Sequence, residues 1–160
     1  MDNRIDYDIR FIESEEWQDA ISMVYKTFLE FDAPLFEKEG VDHFRRFLSD
    51  ENLKRMFEAG TFSVIGAFDG PRIVGVVALR NESHISLLFV DKDYHRRKIG
   101  TKLVLTLADY VGNKLHKPSM TVNASPYAYD FYHKLGFFNI DEETLTDGIT
   151  FTPMRLVLGE

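Results

Sequence analysis

The stretch Ser86–Leu103, which reads SLLFVDKDYHRRKIGTKL, constrains the fold of this chain more than any other. An apolar run typical of a buried strand passes through a polar turn directly into an amphipathic helix pattern. Because the start of a helix offers unpaired backbone N–H groups and the positive end of the helix dipole, it attracts phosphate. Gly100 leaves the main chain accessible there, and basic side chains surround it: His95, Arg96, Arg97 and Lys98. The junction therefore predicts a site for a phosphate-bearing cofactor.

Length and composition predict a single domain over residues 1–160, because the chain is long enough to bury a sizeable core. The chain has no cysteine, which excludes disulfides, thiol nucleophiles and thiolate metal sites. No apolar run approaches the roughly 20 residues of a membrane-spanning helix, and the first residues lack the apolar segment of a secretory signal. We therefore expect a cytoplasmic protein with no membrane partner.

The formal net charge of −7 argues against nucleic acid as the main partner, because phosphate backbones require a broad basic surface. The one dense basic cluster suits a small anionic ligand, and the surrounding acidity favours a second substrate that carries an amine. No metal site is predicted, since the remaining histidines lack metal-ligand spacing: His43, His116 and His133.

Hydrophobic periodicity predicts twelve elements, and their order indicates a mixed α/β (α+β) sheet with helices packed against it. The predicted helices are Trp17–Leu29, Val41–Leu48, Leu53–Ala59, Ile99–Val111 and Tyr127–Leu135. The predicted strands are Tyr7–Phe11, Thr61–Phe68, Ile73–Leu79, Ile85–Val90, Ser119–Asn123, Phe137–Ile140 and Ile149–Leu158. The last strand is expected to pair near Phe137, and Pro153 within it predicts a bulge or an edge position.

This order, together with the basic turn, resembles the GNAT N-acetyltransferase superfamily, whose members transfer an acetyl group from acetyl-CoA to an amine. The turn of that family reads Gln or Arg, two variable residues, Gly, one residue, then Gly or Ala. Here the turn is His95–Gly100: the final glycine matches, whereas His95 and Lys98 depart from the pattern. The resemblance implies a twisted, mostly antiparallel sheet of about six to seven strands flanked by helices, with a splayed strand pair that holds CoA.

The resemblance also implies how CoA would be bound. The main-chain N–H groups from Arg96 to Thr101, including those of Ile99 and Gly100, would bind the pyrophosphate. We expect Lys98 to adopt an ordinary helical φ, which needs no glycine, and to add positive charge. The backbone groups of three strand residues would hydrogen-bond the pantetheine arm, as an added strand does: Leu88, Phe89 and Val90.

A second motif, Asn123–Phe137, is similar to a strand-end Asn and the following helix of the same family. Five residues match in register: Ala128, Phe131, Tyr132, Gly136 and Phe137. The resemblance implies that Tyr132 is the general acid that protects the departing CoA thiolate, a role a phenol can fill. Asn123 either binds the pantetheine arm or caps the following helix, and both alternatives remain open.

The general base is the least defined role. His84 lies where several family members place a glutamate, and a histidine can accept a proton near neutral pH. Glu82 and a relayed water are the alternatives.

The acceptor pocket of the family corresponds to Phe28–Phe36 and Asp141–Met154 here, with Phe31, Asp32 and Phe36 as the expected contacts. Further carboxylates in or near these segments are candidates to attract an amine: Glu30, Asp141, Glu142 and Asp147. The resulting hypothesis is direct attack of an amine, of a small molecule or a peptide, on acetyl-CoA without an acyl-enzyme. A non-catalytic CoA-sensing module of the same fold and a purely structural domain are the rival interpretations, and a homodimer is left open.

Overall fold

The computed structural model describes residues 7–159 and shows eight strands and five α-helices among them. The strands are β1 (Asp8–Phe11), β2 (Phe62–Asp69), β3 (Arg72–Arg80), β4 (His84–Val90), β5 (Ser119–Ala124), β6 (Phe138–Asn139), β7 (Thr144–Thr146) and β8 (Ile149–Val157). The helices are α1 (Trp17–Phe31), α2 (Lys38–Ser49), α3 (Glu51–Glu58), α4 (Ile99–Asp109) and α5 (Tyr129–Lys134). No helix within this range is long and apolar enough to cross a bilayer.

The strands form one twisted sheet in the order β1-β2-β3-β4-β5-β8-β6, with β7 paired to β8. All pairs are antiparallel except β4 with β5. The predicted fold class is confirmed, and the extra strand is the three-residue β7, which is too short for its periodicity to be recognised. A tight turn joins β2 to β3, with Gly70 in the left-handed conformation that the turn requires.

Helices cover both faces of the sheet because successive strand residues point to opposite sides. In β3, Val77 and Leu79 join the core beneath α4, whereas Val76 and Ala78 join the core beneath α1 and α3. The helix predicted to end at Val111 stops at Asp109 and continues as a π-helical turn over Tyr110–Lys114. Helices thus pack on both faces of the sheet, and the candidate site lies between two strands that separate, β4 and β5.

Strands β4 and β5 pair over only two positions, His84↔Thr121 and Ile85↔Val122. Beyond these positions the strands separate, so the expected splayed pair is present. The Asp91 N–H donates to Val74 O at 2.9 Å, and strand residues alternate in the direction of their backbone groups. Phe89 therefore directs its backbone groups to β3, so the expectation that they bind the pantetheine arm is wrong. Leu88 and Val90 direct theirs into the gap.

Pro153 lies in β8 between β5 and β6, in continuous register with β5 and without a bulge. The alternative of a bulge is therefore wrong. The Pro153 carbonyl accepts a hydrogen bond from the Ile140 N–H at 2.9 Å, so the missing proline N–H faces the same side. On that side β6 and β7 are both short and leave a gap opposite residues 152–153. Pro153 therefore lies at a short unpaired stretch on one side of β8, where its missing N–H removes no hydrogen bond between strands.

Candidate active site

A cleft of about 1160 Å³ opens where β4 and β5 part and extends under α1, α2 and the β7–β8 turn. Pockets for small ligands usually measure roughly 300–1,000 Å³, so this one has room for a large ligand. The cleft is lined by every residue that the resemblance assigns to CoA, to the proton donor or to the expected acceptor contacts, except Arg97. The alternative base Glu82 and the further carboxylates Glu30, Asp141 and Glu142 lie outside its lining. The topology therefore brings together the phosphate motif, the tyrosine motif and the acceptor segments.

The first hydrogen bond of α4 joins the Lys102 N–H to the Lys98 carbonyl at 3.0 Å. The N–H groups of Ile99, Gly100 and Thr101 precede it and so have no acceptor within the helix. No loop carbonyl within residues 7–159 accepts from them either. All three residues line the cleft, as do Arg96 and Lys98. This end of the cleft offers open amides, the positive end of a helix and two cationic side chains, which suits a phosphate group.

Lys98 adopts φ 61° and ψ 21°, and Arg96 also has a positive φ of 63°. The expectation of an ordinary helical φ at Lys98 is therefore wrong. A left-handed residue costs about 1–2 kcal/mol when it carries a Cβ atom, which glycine lacks. Lys98 keeps the required turn and tolerates this cost.

Arg97 points out of the cleft. Its Nη1 donates to the Tyr7 hydroxyl at 2.9 Å, and its guanidinium lies over the ring of Tyr94 at 5.1 Å. A hydroxyl acceptor and an aromatic face together bind this side chain away from the turn. The side-chain charge at the phosphate end therefore comes from Arg96 and Lys98.

His95 and Gly100 have structural contacts inside the site. The Nε2 atom of His95 lies 2.7 Å from the Val90 carbonyl, which only accepts, so Nε2 carries a proton. A Cβ atom at Gly100 would lie 3.3 Å from the Phe131 ring, so this glycine lets α5 pack against the start of α4. Because His95 occupies the Val90 carbonyl, the backbone groups in the gap that remain available to a ligand are the Val90 N–H and the N–H and carbonyl of Leu88.

Tyr132 is only 3% exposed, yet it lines the cleft. The rings of Phe137 and Phe131 hold it edge-on at 5.1 and 5.3 Å. Burial raises the pKa of its phenol, and the negative charge of Asp32 raises it further. The phenol therefore remains protonated at neutral pH and is available as a proton donor.

His84 lines the cleft at the point where β4 and β5 part, and its Nδ1 lies 2.8 Å from the Thr121 hydroxyl. Burial lowers the pKa of His84, and the nearby Arg80 charge lowers it further, so the ring is neutral at pH 7. Glu82 instead lies in the β3–β4 turn, 3.0 Å from the Lys117 ammonium, and does not line the cleft. Glu82 is therefore not placed to act as the base.

The helix-cap alternative for Asn123 is wrong. The Ser125 hydroxyl accepts from the Ala128 N–H at 3.2 Å, and the Ser125 carbonyl accepts from Ala128 and Tyr129 at 3.0 Å each. Asn123 is exposed at the end of β5 and lines the cleft. Its amide remains a candidate for a ligand of the cleft.

Asp32 follows the last turn of α1, and its N–H donates to Phe28 O at 2.9 Å. Burial raises the pKa of this carboxyl group to about 6, although the Ser125 hydroxyl lowers it in part. Of the other candidate carboxylates, Asp147 lines the cleft. Glu30 lies 3.6 Å from the Lys92 ammonium, and Asp141 with Glu142 is exposed outside the cleft.

A protein-family model described as an acetyltransferase (GNAT) domain matches residues 32–158, which is most of the chain. The chain belongs to the GNAT acetyltransferase family. The match includes the basic turn, Asn123 and Tyr132, so the resemblance seen in the sequence is confirmed. No curated sequence is significantly similar to this GNAT chain.

Solved structures show the same fold. A GCN5-related N-acetyltransferase from Rhodopseudomonas palustris has a TM-score of 0.82 at 21% identity, covering 98% of this chain and 99% of that one. The PaiA N-acetyltransferase from Thermoplasma acidophilum, in complex with coenzyme A, has a TM-score of 0.75 at 21% identity, covering 96% and 99%. A mutant of the spermidine N-acetyltransferase SpeG from Vibrio cholerae has a TM-score of 0.67 at 10% identity, covering 95% and 94%.

Much of the expected acceptor side of this GNAT cleft cannot be predicted from the sequence. It is also lined by Phe44, Phe47, Phe89 through its ring, Tyr127 and Phe151, with His43 and Arg80 as further polar residues. Phe44 and Phe47 share one face of α2, and that spacing is equally typical of a core-facing helix. Only the tertiary structure shows that this face borders a cleft.

Proposed function

We propose that this GNAT domain, over residues 1–160, transfers an acetyl group from acetyl-CoA to a primary amine. One observation carries the proposal: a single cleft holds the open amides of α4, the unpaired edge of β4 and the protonated phenol of Tyr132. A phosphate site, a strand-like site for an extended arm and a proton donor lie along one cavity. This arrangement matches the chemistry of a thioester of CoA.

The residues of the cleft fit CoA in three parts. The N–H groups of Ile99–Thr101, with Arg96 and Lys98, would hold the pyrophosphate. The free backbone groups of Leu88 and Val90 would hydrogen-bond the pantetheine amides as a neighbouring strand does, with Asn123 opposite them. His95 shapes the same corner through its bond to the Val90 carbonyl.

When bound, acetyl-CoA supplies an acetyl group activated as a thioester. In the proposed reaction the amine nitrogen bonds to the acetyl carbon as the C–S bond breaks. His84, directly or through a water, accepts the ammonium proton before attack, and Tyr132 donates its proton to the departing thiolate. The second proton, which the nitrogen loses as the amide forms, returns to the Tyr132 oxygen and restores the phenol. Asp32, with Phe31 and Phe36 beside it, binds the substrate ammonium while its carboxylate is ionised. Positioning of both substrates in one cleft supplies much of the acceleration, and no acyl-enzyme forms.

Two similar structures support an amine acceptor. One is named as a spermidine N-acetyltransferase, and the other as an aminoglycoside 6′-N-acetyltransferase complexed with coenzyme A. Both names describe amine-bearing small molecules as substrates. We infer that this chain likewise uses acetyl-CoA and a small-molecule amine.

The test combines binding and turnover. At a CoA concentration of 100 times Kd, thermal unfolding should show about 2.7 kcal/mol of stabilisation. A thiol-release assay with acetyl-CoA and a pool of primary amines should then show turnover that Tyr132→Phe lowers strongly. Stabilisation without thiol release from any amine favours the CoA-sensing alternative. No stabilisation by CoA contradicts both readings.

A further inference from the structure

We propose that the acceptor is a hydrophobic monoamine, whose aryl or long alkyl group packs on one aromatic wall while its ammonium meets Asp32. The inference rests on the proposed acetyl transfer and names the class of amine that this cleft selects. We define the aromatic wall as Phe28, Phe36, Phe44, Phe47 and Phe89, all of which line the cleft.

The wall is a connected set of rings from four separate segments. Phe28 stacks on Phe44 at 4.1 Å and meets Phe36 edge-on at 5.4 Å. Phe44 also contacts Phe89 at 5.9 Å and Phe47 at 6.2 Å. Phe28 is buried, whereas the other four rings are half-buried and keep surface toward the cleft. A ligand that covers this surface with apolar atoms gains affinity by removing it from water.

The charges of the cleft exclude a polycation. Within residues 7–159 only two carboxylates line the cavity, Asp32 and Asp147. An aminoglycoside or polyamine would bury several ammonium groups, and each needs a carboxylate partner. On the same lining, Arg80 adds positive charge near His84, and Arg96 with Lys98 does so at the phosphate end. Asp147 is exposed, so Asp32 is the one half-buried carboxylate of the described lining, and it can pair with one ammonium.

The wall ends in a closed corner. The Glu37 N–H donates to the Gly148 carbonyl at 3.2 Å, which joins the start of α2 to the β7–β8 turn. A Cβ atom at Gly40 would overlap this same carbonyl, so the two backbones touch. Both segments line the cleft on either side of this contact, through Phe36 and Asp147. A compact molecule fits such a corner better than a peptide chain that must pass through it.

The first experiment compares amines on the whole protein. Thiol release is measured with 2-phenylethylamine, n-hexylamine, ethylamine, spermidine, kanamycin and an unblocked peptide. We expect kcat/KM for 2-phenylethylamine and n-hexylamine to exceed that for ethylamine by about 10- to 100-fold, because only they cover the wall. A higher kcat/KM for spermidine, kanamycin or the peptide overturns the inference.

A second readout does not depend on turnover. Calorimetric titration of the CoA-saturated protein should show 2-phenylethylamine binding at least about tenfold more tightly than ethylamine. Equal or weaker binding overturns the inference even if another amine is acetylated. Loss of CoA stabilisation would instead contradict the proposed function itself, so the two failures are distinguishable.

The matched variants are Phe47→Ala, in the wall, and Phe138→Ala, whose ring is 46% exposed on β6 and outside the cleft. Phe47→Ala should lower kcat/KM for 2-phenylethylamine about tenfold and leave that for ethylamine within about twofold. Phe138→Ala should change neither. Phe36→Leu is the second wall variant, and CoA stabilisation checks the folding of each. Equal losses for both amines in the two wall variants overturn the inference.

Discussion

The two ends of the cleft are built in different ways. The end proposed to bind phosphate, called the phosphate end, comes from one continuous segment, residues 95–101, and presents mainly backbone N–H groups at the start of a helix. The acceptor end is assembled from α1, α2, β4 and the β7–β8 turn, and it presents side-chain rings and one half-buried carboxyl group. The backbone end tolerates substitution, since Lys98 replaces a glycine and still adopts the left-handed turn. Under the proposed function, the cofactor site therefore depends on one local segment, and the choice of amine depends on side chains from several elements.

The largest effect is expected for Tyr132→Phe, because Tyr132 lines the cleft between the phosphate end and the acceptor end. We expect kcat to fall by about 100-fold, within the usual contribution of a general acid, while the KM values for acetyl-CoA and amine stay near wild type. Steady-state kinetics with both substrates measures this. The melting temperature should be unchanged, since the phenol hydroxyl has no side-chain partner within the described residues and its loss breaks no bond.

Tyr129→Phe is the control for that experiment. The Tyr129 hydroxyl donates to Asn139 Oδ1 at 2.8 Å, on an exposed surface outside the cleft. Its loss should leave kcat unchanged. A Tyr132→Phe enzyme that retains full kcat would show that the leaving thiolate needs no proton from α5.

The second test is His84→Gln, which keeps a polar group beside Thr121 but removes the proton acceptor. We expect kcat/KM at pH 7 to fall about tenfold, since a water can replace part of a general base. Because the pKa of His84 is lowered, the wild-type kcat/KM should decrease with falling pH only at pH values below the ordinary pKa of histidine. In the variant, this decrease at acidic pH should occur at a different pH. Identical pH–rate profiles for the two proteins would assign the base elsewhere. Thr121→Val, which removes only the hydrogen-bond partner, is the matched control.

The sequence predicts the phosphate end far better than the acceptor end, for physical reasons. Residues 95–101 and Asn123–Phe137 are continuous segments, so the spacing of their functional residues can be read directly from the sequence. Phe47 and Phe151 are more than a hundred positions apart and line the same cleft only after the sheet has formed. Burial is likewise invisible in sequence, which is why Arg97 was expected in the cleft and the raised pKa of Asp32 was not expected.

The third test, Asp32→Asn, should act on the acceptor end alone. With the ammonium partner gone, KM for the amine should rise about tenfold while KM for acetyl-CoA stays constant. The acidic limb that Asp32 contributes to amine kcat/KM, centred near pH 6, should also disappear. An equal rise in both KM values would show that the two ends are not independent.

The same variant should change stability with a defined pH dependence. The pKa of Asp32 rises on folding from 3.8 to about 6, so the folded protein binds a proton more readily than the unfolded chain. The stabilisation that the folded protein gains from binding this proton is complete below pH 3.8 and is lost as the pH rises through 6. Asp32→Asn should therefore raise the melting temperature at pH 7.5 by about 2–4 °C and by almost nothing at pH 4. A gain of equal size at both pH values would contradict the raised pKa of this half-buried carboxyl group.

The smallest effects should come from the phosphate end, where Lys98→Gly and Lys98→Ala separate conformation from charge. Both variants remove one cation, so CoA affinity should fall about threefold at low salt and less at high salt. Only Lys98→Gly removes the Cβ atom that makes φ 61° costly, so only it should raise the melting temperature of the CoA-free protein, by about 2–4 °C. Amine KM should not change in either variant. If the two variants have the same melting temperature, the positive φ at residue 98 costs no stability. The ability of residues 95–101 to accept a lysine in place of glycine would then have another cause.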